Sequence, residues 1–149
     1  IRKAGPADIE EIVQLCAEHA EYERAAYEAE GKAEKLFAYL FADEPRLYCL
    51  IAEQGDEVLG YATYMFEFST WDDGFYAHMD CLYLRPQARG FGIGEALVQE
   101  IVKAAKAQGC SVVQWQTPDF NVRAIKFYHR IGAQAKSKQR FYLQLNNAI

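Results

Sequence analysis

Residues 85–99 read RPQARGFGIGEALVQ, with Gly90, Gly92 and Gly94 inside five positions. The strand-like run FYAHMDCLYL (75–84) leads into them, and helical spacing follows from Ile93 to Ala107, with Gly109 past its end. A strand, a glycine turn and a helix in immediate succession restrict the fold to a mixed α/β design. They also restrict the chemistry. Glycine lets a backbone approach an anion closely, and a helix N-terminus presents unpaired N–H groups with a partial positive charge. Arg89 and Arg85 add formal charge. The same spacing serves equally as a tight turn into a helix.

Two familiar glycine motifs fail. The dinucleotide fingerprint G-x-G-x-x-G from Gly90 needs a glycine where Glu95 stands, and an acid where the chain reads VVQWQ. The nucleotide-triphosphate loop needs Gly-Lys-Ser/Thr, and no lysine follows the loop before Lys103. What remains is R-x-x-G-x-G, from Arg89 through Gly92 to Gly94.

The rest of the chain surrounds this unit with further elements. IRKA (1–4) reads as a short strand, and Pro6 and Asp8 suit a helix start. Ile12, Val13, Leu15, Cys16, His19 and Ala20 recur at helical spacing, and a second helix is expected over Lys32 to Phe41. LYCLIAE (47–53) and VLGYATYMFEF (58–68) read as a hairpin about QGDE. After the glycine helix come a strand SVVQWQT (111–117), a short helix NVRAIKFYHRIG (121–132) and a last hairpin through FYLQL (141–145). The expected order is β-α-α-β-β-β-α-β-α-β-β, a mixed, mostly antiparallel sheet flanked by helices. No linker, repeat or low-complexity stretch divides it, so residues 1–149 read as a single domain.

Composition narrows the partners. The net charge of −5 makes the chain a poor electrostatic match for nucleic acid or an anionic membrane, and a better one for a cation. Cys16, Cys49, Cys81 and Cys110 are scattered among apolar neighbours without a C-x-x-C pair. That argues for reduced, mostly buried thiols in a cytoplasmic protein and against zinc. His19, His78 and His129 are dispersed, so no metal set is expected, and His129 is expected to face solvent. No run reaches the length of a membrane span, and IRKAG does not resemble a signal peptide.

HAEYE (19–23), YMFEFSTW (64–71), RGFGIG (89–94) and NVRAIKFYHRIGA (121–133) together resemble the GNAT superfamily of acyl-CoA-dependent N-acyltransferases, and within it the diamine acetyltransferases that act on spermidine, spermine or thialysine. The resemblance runs from the first helix to the last. It implies acetyl-CoA as co-substrate. The pyrophosphate would lie on Arg89, Gly90, Phe91, Gly92, Ile93, Gly94 and Glu95. The pantetheine arm would pair with Leu82, Tyr83 and Leu84 as an added strand. Asn121, Val122, Arg123 and Ala124 would contact the arm from the other side, Arg130 would reach a phosphate, and the group's homodimeric state carries over as an expectation.

Amine acetylation needs a base for the ammonium, a donor for the oxyanion and an acid for the leaving thiolate. Tyr128, in the F-Y-x-x-x-G-A context, matches the family's acid. A phenol with a pKa of about 10 is protonated at neutral pH and can hand its proton to sulfur. Asp80, an acid inside an apolar strand, is the candidate base, acting through a water. By ungapped register the diamine group has Glu followed by Asp where this chain has Asp80 and Cys81. His78 lies three residues from Cys81, on the opposite face of a regular strand, so Cys81 reads as a structural thiol and the amine as the direct nucleophile. The oxyanion donor would be a backbone N–H near Leu82. Tyr22, Glu23 and Trp71, with Asp80, match the family's substrate-binding positions. The group also has an acid in its C-terminal hairpin region, where this chain reads KSKQR, so a lysine-like amino acid fits at least as well as a long polyamine. A non-catalytic acyl-CoA-binding module and a protein N-acetyltransferase are the alternatives.

Overall fold

The computed structural model describes residues 1–147. They cluster into two compact units, Ile1–Pro118 and the segment from Asp119 onward.

The first unit is a five-stranded sheet in the order β1 (Arg2–Lys3), β2 (Tyr48–Gln54), β3 (Glu57–Ser69), β4 (Gly74–Leu84) and β5 (Val113–Gln114). The first four strands are antiparallel to their neighbours, and β5 runs parallel to β4. Helices α1 (Ile9–Tyr22) and α2 (Lys32–Leu40) precede β2, and α3 (Ile93–Ala107) joins β4 to β5. Both sheet faces are covered, which is why β2 and β3 read as nearly continuous apolar runs. On one face Ile12, Leu15 and Leu40 pack with Cys49, Ile51, Tyr61 and Tyr83. On the other, Leu97, Val98, Ile101 and Ala105 of α3 bury their stripe.

Two arginines tie this unit together. Arg2 on β1 bridges Asp8 at 2.7 Å and Glu53 on β2 at 2.8 Å. Arg85, just past β4, pairs with Glu11 at 2.7 Å and Glu18 at 3.0 Å on α1, and donates to the Val58 carbonyl at 2.8 Å. Its charge is committed to α1, which corrects the expectation that it serves an anion at the glycine loop.

The second unit holds α4 (Val122–Arg130) and a short 3-10 turn at Leu145–Asn147. Here the expected final hairpin is absent. Residues 133–144 carry no regular secondary structure, and Phe141, Tyr142, Leu143 and Leu145 are exposed. Alternating apolar residues report how well a segment would sit in a sheet, but a strand also needs an edge to pair with. The strand expected over 111–117 contracts for a related reason, since β5 finds partners only at Ala77 and His78.

Candidate active site

The site begins with a break in the β3–β4 ladder. Thr63 pairs with Cys81 and Tyr64 with Met79, so Asp80 is an extra, unpaired residue on β4. Such a bulge re-aims side chains. Asp80 points outward with 54% of its side chain exposed, 3.9 Å from His78 Nε2. The bulge also resets the alternation. His78 opposes Met65 and Cys81 opposes Thr63, and those two β3 residues share a face. His78 and Cys81 therefore lie on the same face, which corrects the expectation drawn from a regular strand. Burial and the nearby Asp80 carboxylate push the Cys81 thiol up to about 11, so it stays protonated near neutral pH.

Beyond the bulge, β4 keeps β3 on one edge and has no ladder partner on the other among the described residues. Leu82, Tyr83 and Leu84 lie on this stretch. Gly60 on β3 makes the pairing possible here, because a Cβ there would collide with the Tyr83 carbonyl oxygen and the Leu84 side chain.

The open stretch runs into the glycine loop. Gly90 and Gly92 adopt φ of +87° and +79°, which L side chains rarely take. Gly92 caps α3, and the first intrahelical bond is Ala96 N–H to the Gly92 carbonyl at 3.0 Å. The N–H groups of Ile93, Gly94 and Glu95 precede it and so lack helical acceptors. Phe91 is exposed. Arg89 is turned to aromatic partners. Its guanidinium lies 4.6 Å over the Tyr22 ring and 5.6 Å from the Tyr83 ring, and its Nε donates to the Leu84 carbonyl at 3.0 Å.

Those rings belong to a cluster at the C-terminus of α1. The helix closes on Glu23 in a Schellman-type turn, with Ala25 N–H to the Ala20 carbonyl and Arg24 N–H to the Glu21 carbonyl. Arg24 takes φ +59°, a conformation usually left to glycine and costing about 1 kcal/mol for other residues. Glu23 thus sits where the helix dipole disfavours a carboxylate. His19, one turn earlier, meets it with Nε2 at 2.9 Å from Glu23 Oε2. His19 Nδ1 is 3.0 Å from the Tyr61 hydroxyl, and the imidazole stacks on Tyr83 at 5.3 Å. Burial lowers the His19 pKa against the opposing pull of Glu23 and Asp80. Burial drives the Tyr61 phenol far up, so it remains O–H.

Within this unit Tyr22, Glu23, Asp80, Tyr83 and Arg89 thus gather about His19, whereas Trp71 does not join them. It tips the β3–β4 hairpin at 99% exposure, and the six steps along the strand from Gly74 to Asp80 span up to about 20 Å. In the second unit, the Asn121 side chain caps α4 by accepting from Ala124 N–H at 3.4 Å, with Val122 and Arg123 in the first turn. Tyr128 packs its ring against Phe127 at 5.3 Å, and Arg130 lies 5.5 Å over the Phe127 ring. His129 is exposed, as expected. All four cysteines are free; Cys49 is buried and the others are partly so. Sequence reasoning missed His19 as the hub, although a histidine on the apolar stripe of α1, four residues before a glutamate, was the available signal. It also missed the bulge, for which no local signal exists.

A covered α/β sheet whose fourth strand loses a neighbour and then enters a glycine-capped helix is the layout of a GNAT-type acyltransferase fold. The crystal structure of a transcriptional regulator from Bacillus halodurans C-125 has this fold, with TM-score 0.82 and 25% identity over 96% of this chain and 97% of that one. A thialysine N-epsilon-acetyltransferase from Bos taurus is 35% identical over 142 residues, covering 90% of this chain and 83% of the relative. The Mus musculus enzyme of the same name is 32% identical over 96% of this chain and 88% of its own. The model of the acetyltransferase (GNAT) family matches residues 9–133. The chain belongs to that family and is an N-acetyltransferase.

Proposed function

We propose that the protein transfers an acetyl group from acetyl-CoA to the primary amine of a small cationic molecule, a lysine-like amino acid, a diamine or a polyamine. The observation that carries this reading is the open edge of β4 at Leu82–Leu84, running directly into Arg89–Glu95 and the N-terminus of α3. An extended pantetheine arm has backbone groups to pair with on that edge, and a pyrophosphate has N–H donors at the helix start. Acetyl-CoA brings the activated acyl carbon and a thiolate leaving group.

The amine attacks directly, in a ternary complex. The protonated Cys81 thiol supports this over an acetyl-cysteine, because only a thiolate is an effective nucleophile. Asp80, turned outward by its bulge, takes the ammonium proton through a water. A backbone N–H near Leu82 receives the oxyanion. Tyr128 protonates the leaving sulfur, with Asn121, Val122, Arg123, Ala124 and Arg130 on the cofactor side. Glu23 holds the substrate's ammonium, with the Tyr22 face beside it. The thialysine relatives, and the basic KSKQR segment at 136–140, favour a lysine-like amino acid over a long polyamine.

Residues 1–149 work as one catalytic domain, since the family match crosses both compact units. The working form is a homodimer in a reducing, cytoplasmic setting. Trp71, fully exposed at the tip of the β3–β4 hairpin and distant from Asp80, then has a partner copy's cleft to enter. Nucleic acid and membranes are not partners; among the described residues, no helix is long and apolar enough to cross a bilayer.

The test is CoA thiol release from acetyl-CoA with lysine, thialysine, putrescine, spermidine, an aminoglycoside and a short peptide. Release with lysine-like amino acids but not spermidine is the expected result. Release with the peptide alone would turn the reading to a protein N-acetyltransferase. Silence across the panel, with acetyl-CoA binding intact, would turn it to a non-catalytic acyl-CoA-binding module. Tyr128→Phe should lower kcat far more than acetyl-CoA affinity, and an unchanged kcat would remove Tyr128 from the mechanism.

A further inference from the structure

His19 is bound on three sides. Nε2 meets Glu23 at 2.9 Å, Nδ1 meets the Tyr61 hydroxyl at 3.0 Å, and one ring face stacks on Tyr83 at 5.3 Å. Its side chain is only 14% exposed. An ionised carboxylate can only accept, so the proton between His19 and Glu23 belongs to Nε2. In the neutral ring that burial favours, Nδ1 is then the lone pair, and Tyr61 donates its O–H to it. Cys16 and Cys81 stand within hydrogen-bonding reach of the same phenol, and the Cys81 S–H is turned to Asp80 Oδ2 at 3.9 Å. With both nitrogens engaged inside the fold, the imidazole has no atom left to touch a substrate.

We propose that His19 is the positioning residue of the amine site: a neutral imidazole in the Nε2–H form that fixes the Glu23 carboxylate against the dipole of its own helix. The proposal rests on the reading that Glu23 holds the substrate's ammonium.

The geometry explains why a partner is needed at this place. Glu23 follows the last turn of α1, where unpaired carbonyls repel a carboxylate, and the turn beyond it holds Arg24 in a strained conformation. A flexible glutamate there would swing toward water. The bond from His19 holds it, and the Tyr61 and Tyr83 contacts hold His19. Because Tyr83 also carries the Arg89 guanidinium, the same stack reaches the first residue of the glycine loop. The charged and titratable groups facing the imidazole are Glu23 from α1, Tyr61 from β3, and Tyr83 and Asp80 from β4.

Two measurements test this. Nitrogen-15 NMR of the intact protein at neutral pH should show His19 neutral with the proton on Nε2. A proton on Nδ1, or an imidazolium, would overturn the proposal without any variant. In steady-state kinetics with the amine identified by the panel above, His19→Leu should raise the amine KM about ten-fold or more, the effect of losing a charge-assisted bond. The KM for acetyl-CoA should stay within about two-fold. His19→Gln, which retains one donor and one acceptor, should recover most of the lost amine affinity. Glu23→Gln, measured in parallel, separates the two readings. If Glu23→Gln raises the amine KM and His19→Leu, shown to be folded by circular dichroism, does not, the site reading stands and the proposal is overturned. If Glu23→Gln leaves the amine KM unchanged, Glu23 does not hold the amine, and both fall.

Discussion

The two halves of β4 differ in what surrounds them. Ala77 and His78 are ordinary interior residues of a sheet, paired with β3 on one edge and β5 on the other. From Cys81 to Leu84 the strand has, among the described residues, β3 alone. Asp80 marks the border as the bulged residue, and the faces exchange there: Ala77 and Met79 turn to one side, Cys81 and Tyr83 to the other. A completed ladder leaves a strand no free backbone groups, whereas a half-completed one leaves a row of N–H and C=O groups for another extended molecule. The lower half is thereby structural and the upper half is where ligands are expected.

That division can be broken by experiment. Asp80→Asn keeps the size of the bulged residue and removes its basicity. It should lower kcat about 10²–10⁴-fold, the usual worth of a general base, with acetyl-CoA affinity and stability nearly unchanged. An unaltered kcat would take the base away from the border. Met79→Ala, one residue below, should do the reverse. Truncating this buried side chain should cost about 2–5 kcal/mol of unfolding free energy in urea titration, with kcat of the folded fraction retained. Gly60→Ala probes the upper half from β3. The added methyl meets backbone at Tyr83 and should cost about 1–3 kcal/mol, while raising the acetyl-CoA KM through displacement of the open edge. Unchanged stability would mean the two strands are less tightly apposed than described.

The smallest effect concerns pH. Burial lowers the folded-state pKa of His19. The unfolded imidazole, with an ordinary value of about 6.5, therefore binds a proton more readily. Stability linked to His19 is fully present above that value and is lost as the pH falls through the unfolded and then the folded pKa. Asp8 and Glu18, held below the usual carboxylate range by hydrogen bonds from Arg2 and Arg85, lose their share only at lower pH. Urea titrations of wild type and His19→Gln between neutral and mildly acid pH should show a slope in the first that is absent in the second.

Much of this was legible in the sequence because it depends on local rules. The α3 boundaries, Ile93–Ala107, follow from helical spacing and from glycines at both ends. The β2–β3–β4 succession follows from apolar runs separated by turn residues. Asp80 stood out as an acid in such a run. The Arg85 pairing with Glu11 and Glu18 was not legible, because its partners lie more than sixty positions away. Nor was the identity of the group over which Arg89 would lie. The absent final hairpin is the same kind of case: FYLQL has strand-forming residues, but alternation says nothing about an available edge.

By itself the sequence determined the elements that nearest neighbours dictate, together with the glycine turn, the family motifs and the polarity of each helix. Periodicity, caps and positive-φ glycines act over a few residues, and those are printed in the chain. Tertiary structure alone decided the bulge at Asp80, the exchange of faces that brings His78 and Cys81 to one side, and the enclosure of His19 between Glu23, Tyr61 and Tyr83. Each depends on which strand lies alongside and in what register. Register is a property of two segments, and neither one encodes it alone.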